Sequence, residues 1–339
     1  VKYIVEYTFS DEVQAKQPTY SYDLVFLNLA KGVLKVTIRI VPTQFATVQD
    51  AITAANPGDS IQILAGVFDG FQVTKERLNI FGCGIGKTII AGTPAQGSNS
   101  GIFVNANQTI LQGMTVQGFS ENGVLILTSH NILKHIESKF NMRHGFDGDV
   151  ASNNNLILKC IATFNGISGF RFNDSEHNCL IDCQSKLNDS SGYQSEAPNN
   201  MFIACSSVEN STGFNISASH TLFNNVVNKE GGDGIRLFGS SNNIIQNKVS
   251  NSMENGVRVL NATSLHVIDS NIIRNNGVVS PANTAGIKVE ALSSGSTIRF
   301  NKANGNIDVD IEAMAPANTN NTFDGNKCMN SIPITICNS

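Results

Sequence analysis

Asp147 and Asp149 are separated by one residue, and on an extended strand this spacing points both carboxylates to one face, about 6.5 to 7 Å apart. Such a pair suits a calcium ion held by hard oxygen ligands, or an acid and a base set apart across a glycosidic bond. His144 lies just upstream, Arg171 and Asn173 follow about two dozen residues later, and Glu196 follows at the same interval again. An arginine beside paired carboxylates neutralises a substrate carboxylate or, in lyase chemistry, takes part in proton abstraction. Asp147, Asp149 and Arg171 are therefore the candidate catalytic set, Asp147 and Asp149 the candidate calcium ligands, and His144, Asn173 and Glu196 candidate substrate contacts. The competing reading is an exposed salt-bridge ladder, worth about 0 to 1 kcal/mol per pair.

Arg236, Arg258 and Lys288 recur at similar intervals. If they stack, like charges on adjacent strands destabilise one another unless something compensates, and an anionic ligand such as a uronate chain would do so. These three are further candidate substrate contacts. Asp233, Glu254 and Glu290 lie close enough in sequence to pair with them instead, which is the structural alternative.

Side chains so far apart meet only if a repeating element stacks them. From residue 101 a Gly followed by alternating apolar residues recurs: Gly101-Ile-Phe-Val, Gly123-Val-Leu-Ile, Gly169-Phe-Arg-Phe, Gly213-Phe-Asn-Ile, Gly234-Ile-Arg-Leu, Gly256-Val-Arg-Val and Gly286-Ile-Lys-Val. The glycines are about 21 to 24 residues apart, with one gap of about 30 that implies an insertion between Gly277 and Ala285. A second segment in each repeat starts at Asn and turns apolar, as in Asn131-Ile-Leu, Asn155-Leu-Ile-Leu, Asn178-Cys-Leu-Ile, Asn200-Met-Phe-Ile and Asn243-Ile-Ile. Short strands that cannot bury an apolar face alone become stable when coils stack and share one interior. Leucine-rich repeats have a similar period, but their LxxLxLxxN signature is missing and nothing in the repeats reads as a helix. The expected fold is an all-β, single-stranded right-handed parallel β-helix.

Five residues beyond each strand-start Asn stand Cys160, Cys183 and Cys205, and the later counterparts run through Asn225, Asn247, Asn271, Asn301 and Asn326. Stacked Asn side chains hydrogen-bond up the solenoid, satisfying polar groups that burial would otherwise penalise by about 1 to 3 kcal/mol each. The three cysteines replace that ladder with small thiols. They are expected to stay reduced, because parallel Cβ vectors make disulfide torsion awkward. Cys328 and Cys337 are the better disulfide candidates. Of the histidines, His130, His177 and His220 fall at strand starts, where they substitute for the turn Asn, and the set offers no metal site.

Thr47-Val-Gln-Asp-Ala-Ile-Thr-Ala-Ala-Asn56 reads as a short amphipathic helix capped by Thr47, suited to covering the open end of the core. Residues 1 to 40 lack the period, which sets an N-terminal arm at 1–42 before a β-helix at 43–339. The arm either folds over the first coils or joins neighbouring chains into a homo-oligomer.

Composition agrees with a turn-rich β fold: Trp is absent, charged residues are 15%, and Gly, Asn and Ser are abundant. A net charge of −4 provides no global basic field for nucleic acid. No apolar run approaches the roughly 20 residues of a membrane span, so no membrane insertion is expected, and no cysteine pair has CxxC spacing. The first residue is Val rather than Met, which fits a removed leader and a trimmed chain equally.

The stretch Phe45-Ala-Thr-Val-Gln-Asp-Ala-Ile-Thr-Ala-Ala-Asn-Pro-Gly-Asp-Ser-Ile-Gln-Ile-Leu-Ala-Gly-Val-Phe68, followed by Leu78-Asn-Ile-Phe-Gly-Cys-Gly-Ile-Gly-Lys-Thr-Ile-Ile90, resembles the opening coils of the pectin lyase-like β-helix superfamily, pectinesterases in particular. The later Asn-rich coils are similar to β-helix repeats of periplasmic copper-processing and carbohydrate-binding proteins. The resemblance covers roughly residues 43 to 330. It implies an extracellular or cell-surface protein that meets acidic polysaccharide, either as a lyase or hydrolase, with calcium as the one cofactor to expect, or as a non-catalytic binding or structural module. The catalytic motifs do not carry over: the pectinesterase Gln-Asp-Thr and Gly-Arg-Pro-Trp, the polygalacturonase Asp-Asp with Gly-His-Gly, and the alginate epimerase Asp-Pro-His are all missing. A copper role is disfavoured, since no Met or His cluster offers soft ligands.

Overall fold

The computed structural model describes residues 37–92, 99–278 and 283–337. Within the unit from Val36 to Ser339 the chain winds as a right-handed parallel β-helix. Each short strand alternates inward and outward side chains: Phe170 and Phe172 are buried on either side of a partly exposed Arg171, and Leu180 is buried between Cys179 and Ile181.

Three walls result, all of parallel strands. The first begins with Ile38–Val41 on Ser60–Ile63 and reaches Thr322–Asp324. The second runs from Gly66–Phe68 on Thr88–Ala91 to Lys302–Asn304. The third, the glycine wall, runs from Phe71–Val73 through Phe146–Gly148 to Ser331–Ile332. Paired residues such as Phe146 and Phe170 are 24 positions apart, as the sequence period requires. The step widens between Val257 and Ile287, where the longer glycine gap falls. Part of that insertion, residues 279–282, lies outside the described residues.

Corners explain the Asn-rich sequence. At the bend between the first two walls, His135, Lys159, Asp182, Ala204, Asn224, Gln246, Ser270 and Phe300 all adopt left-handed φ between 50° and 58°. That conformation costs an L-residue about 1 to 2 kcal/mol, and it recurs because it turns the chain in a single residue. The next residue points inward, and where it is Asn it accepts a backbone N–H from the preceding coil. Cys205 N donates to Asn225 Oδ1 at 2.8 Å, Asn225 N to Asn247, Asn247 N to Asn271, Asn271 N to Asn301 and Asn301 N to Asn326. Cys160, Cys183 and Cys205 are buried and unbridged below that ladder, while Cys328 and Cys337 form a disulfide with Cα atoms 5.6 Å apart.

A second ladder precedes the first wall through Asn131, Asn155, Asn178, Asn200, His220, Asn242 and His266. Its member is Asn242, not Asn243, which is the first strand residue. His130 and His177 do not substitute for the ladder Asn either. They are the left-handed residues one position before it, with φ of 62° and 57°. His220 and His266 occupy the ladder itself, their Nδ1 atoms accepting the N–H groups of Asn200 and Asn242. A third ladder follows the second wall: Asn141, Asn165, Asn188, Asn210 and Glu230.

At the start of the solenoid the helix Val48–Ala54 buries Val48, Ala51 and Ile52, and the Thr47 side chain accepts the Asp50 N–H at 3.0 Å. The strand Ile38–Val41 already belongs to the first wall, so the β-helix begins before residue 43, and the expected arm boundary is too late. Burial of Val41 in the same core explains the shift. The expected homo-oligomer contact rests on residues 1–40, of which residues 1–36 lie outside the described residues.

Candidate functional site on the glycine wall

Behind the glycine wall the rings of Phe146, Phe170, Tyr193 and Phe214 stack with centroids 4.8, 5.1 and 4.5 Å apart. This column fixes the strand register from inside. Gly145 shows why the repeat glycine precedes each strand, since a Cβ there would lie 2.7 Å from the Gly169 carbonyl oxygen. With register set, the outward residues form one file: Gln72, Phe103, Leu125, Asp147, Arg171, Gln194, Asn215, Arg236, Arg258, Lys288 and Glu312. Neighbours in it are about 4.8 Å apart along the axis.

Asp147 and Arg171 meet as adjacent members. Arg171 Nη1 donates to Asp147 Oδ1 at 3.0 Å, and Asn122 Nδ2 donates to Oδ2 at 3.1 Å. Although it points outward, Asp147 is only 4% exposed. Burial raises its pKa above the ordinary carboxylate value, an effect that Arg171 opposes and Asp149 reinforces. His144 is also buried, and its Nδ1 accepts the Ser168 N–H at 3.2 Å. Burial first, then Arg171 and Arg143, push its pKa down to about 3, so the ring is neutral. Asp149 is partly exposed, with Oδ1 accepting the Val150 N–H at 2.8 Å. Asn173 and Gln194 both donate to Glu196 Oε1, at 2.8 and 3.0 Å, on the adjoining rim. The structure thus brings Asp147, Arg171 and His144 together and sets Asn173 and Glu196 beside them. Among the described residues no three His, Cys, Asp or Glu side chains gather to hold a metal ion.

Higher up the file the cations differ from one another. Arg258 is clamped by Glu290, with Nε to Oε1 at 2.8 Å, and faces Asp233 at 3.7 Å. Lys288 is 5% exposed, donates to the Asn283 carbonyl and side-chain oxygens at 2.7 and 2.6 Å, and lies 3.3 Å from Glu312. Arg236 is exposed and makes no ion pair among the described residues. Sequence reading missed Asn122, Gln194 and Glu312 as partners. Asn122 immediately precedes the repeat Gly123, and that position would have pointed to it.

The model of the right handed beta helix region matches residues 100–241 and 218–333. The chain belongs to this family. Among solved structures it is similar to the A-module of mannuronan C-5 epimerase AlgE4 from Azotobacter vinelandii, with a TM-score of 0.70 and 13% identity over 84% of this chain and 90% of that one. A rhamnogalacturonan lyase matches with a TM-score of 0.57 and 16% identity, covering 76% of this chain and 82% of its own. The enzymatically active domain of tailspike protein 2 from bacteriophage CBA120 matches at a TM-score of 0.54 and 11% identity, over 83% and 43% of the two chains. At these identities the likeness is one of fold. No curated protein matches the sequence. Among the described residues no helix is long and apolar enough to cross a membrane.

Proposed function

We propose that the protein binds acidic polysaccharide along the outer face of the glycine wall, outside the cell or at its surface. The observation that carries this reading is Arg236. It is exposed, it is the direct strand neighbour of Arg258, and unlike Arg258 and Lys288 it has no acidic partner among the described residues. Glu290 and Asp233 already neutralise Arg258, so Arg236 is the guanidinium of this pair whose charge stays open, and a uronate carboxylate can pair with it. Amide and charged side chains at Arg171, Gln194 and Asn215 extend the same file and suit sugar hydroxyls. The fold is shared with proteins named for mannuronan and rhamnogalacturonan, which supports a glycan as ligand.

A second reading, turnover by a lyase or hydrolase, is favoured by the environment of Asp147. Its raised pKa suits an acid, Asp149 is a candidate second carboxylate, and Arg171 is placed to neutralise a uronate. One experiment tests both. Affinity electrophoresis and calorimetry with pectate and alginate should show binding that weakens about tenfold in Arg236→Ala. Absorbance of unsaturated ends and reducing-sugar release should show product that disappears in Asp147→Asn if the second reading holds. Uronan binding that is absent, or indifferent to Arg236→Ala, overturns the first.

A further inference from the structure

Outside that site lie an exposed phenyl pair, a buried carboxyl in the third ladder, and a groove at the foot of the glycine wall. Phe140 and Phe164 stack with centroids 5.2 Å apart and so spend their faces on each other. Glu230 is sealed in the core. The groove, by contrast, is open to solvent.

It measures about 300 Å³ and is lined by Gln49, Gly70, Phe71, Gln72, Asn99, Ser100, Phe103 and Phe119. No Asp, Glu, Lys, Arg or His is among these residues, which is unusual beside a wall whose upper half is dense with charge. Phe103 supplies a half-buried aromatic surface, and buried Phe71 and Phe119 line the same groove. Gln49 is pinned to the strand edge, its Oε1 accepting the Gln72 N–H at 2.9 Å and its Nε2 donating to the Gln72 carbonyl at 3.3 Å. The side-chain amide of Gln72 is left exposed with no partner of its own among the described residues. An aromatic surface rimmed by amide and hydroxyl groups matches a pyranose, which offers a C–H face and an edge of hydroxyls.

Two relations say what fills it. Gln72 and Phe103 are the lowest members of the outward file, so Phe103 stands two coils, about 10 Å, below Asp147. A second groove of about 310 Å³ shares Gln49 and Gly70 with the first and continues past Thr47, Val67, Phe68 and Asp69, so that the uncharged lining is confined to the first groove. Two adjoining hollows on one wall fit successive units of a chain better than a single compact metabolite. We infer that the groove at Phe103 and Gln72 is a subsite for an uncharged pyranose of the bound glycan, so that the recognised polysaccharide carries neutral sugar beside its acidic residues. This rests on the reading that the glycine wall binds a glycan.

The test uses the intact protein and saturation-transfer NMR with methyl glycosides of glucose, galactose, mannose, rhamnose and N-acetylglucosamine, alongside uronan binding measured on the same samples. At least one neutral glycoside should receive saturation at its ring C–H protons. That transfer should fall at least about tenfold in Phe103→Ala and in Gln72→Glu and be unchanged in Lys248→Ala, an exposed position on the second wall. Thermal melts of both groove variants separate loss of binding from loss of fold, and Gln72→Glu alters only an exposed side chain. Transfer to none of the glycosides, or transfer that persists in both groove variants, overturns the inference. If uronan still binds in that case, the glycan reading stands without the subsite. If neutral sugar binds and uronan does not, the acidic reading fails and the subsite stands.

Discussion

Asp147 and Arg171, 24 positions apart in the chain, are direct partners on adjacent coils and are joined by a 3.0 Å hydrogen bond. The carboxylate is almost wholly covered, whereas the guanidinium is about a quarter exposed, at 24%. Removing the cation leaves a buried charge held by Asn122 alone. Arg171→Ala is therefore expected to lower the thermal midpoint at pH 7 by the equivalent of about 1 to 3 kcal/mol, below the value for a fully buried pair because solvent screens the arginine. Asp147→Asn placed in that background should recover most of the loss. Additive effects in the double variant would show that the two groups do not act on each other.

Thiol accessibility should separate the cysteine ladder from its surroundings. Five cysteines are unbridged, and of these Cys83 is exposed while Cys160, Cys183 and Cys205 are buried. Burial pushes the Cys160 thiol up to about 12 and Cys183 well above its ordinary value, so neither forms thiolate at neutral pH. Iodoacetamide on the native protein, read by peptide mass, is expected to modify Cys83 rapidly and to spare the three ladder thiols until denaturant is added. Native modification at Cys183 would contradict the packed, reduced ladder.

The repeat, the three-residue strands, the outward file and the Asn column from Asn225 to Asn326 were legible because vertical stacking converts a period into contact. The Thr47 cap and the Cys328 to Cys337 bridge were legible too, since both are local. Less legible was which of two consecutive corner residues points inward. At Ser241-Asn242-Asn243 and His130-Asn131 composition fits either register, and only the left-handed φ at Ser241 and His130 decides. The charge balance of the upper file was readable as a choice and no further. Glu312 sits one coil above Lys288, and pairing across that step depends on side-chain reach, which spacing does not reveal. The groove at Phe103 was invisible, because its walls come from the cap helix, two coils and a corner at once.

Asn247 offers a direct measure of what a ladder position is worth. Its Oδ1 accepts both the backbone N–H and the Nδ2 of Asn225, at 2.9 Å each, and its own Nδ2 donates to the Leu222 carbonyl at 3.0 Å. Asn247→Ala strips these bonds and leaves the Asn225 N–H buried without an acceptor, an expected cost of about 2 to 4 kcal/mol. Asn105, an exposed residue just after the strand Ile102–Val104, should cost far less when changed to Ala. Comparable shifts in the thermal midpoints of the two variants would mean that the internal ladder adds little to stability.

Titration of buried groups should give the protein a stability maximum near pH 6.5, because two sets of groups pull in opposite directions. Glu230 takes an Asn place in the third ladder, with Oε2 accepting the Asn210 N–H at 2.7 Å and Oε1 buried without a partner. Burial lifts its pKa from 4.5 to about 8, against the pull of Ser207 and Asn210. The folded protein keeps that proton while the unfolded chain loses it, so the stability it contributes is complete below pH 4.5 and is lost as pH rises through about 8. The buried histidines behave oppositely. Burial lowers His144 to about 3 and His220 and His266 to about 4, so they fold neutral, and their contribution is complete above pH 6.5 and lost as pH falls toward those values. Thermal midpoints from pH 4 to 9 should rise to pH 6.5 and then decline. Glu230→Gln should flatten the alkaline decline, which for one such carboxyl amounts to about 1.4 kcal/mol per pH unit. His266→Asn, which restores the residue type of the neighbouring ladder members, should shallow the acid limb. An alkaline limb equally steep with Gln at 230 would show that the carboxyl is ionised in the folded protein and that burial does not govern it.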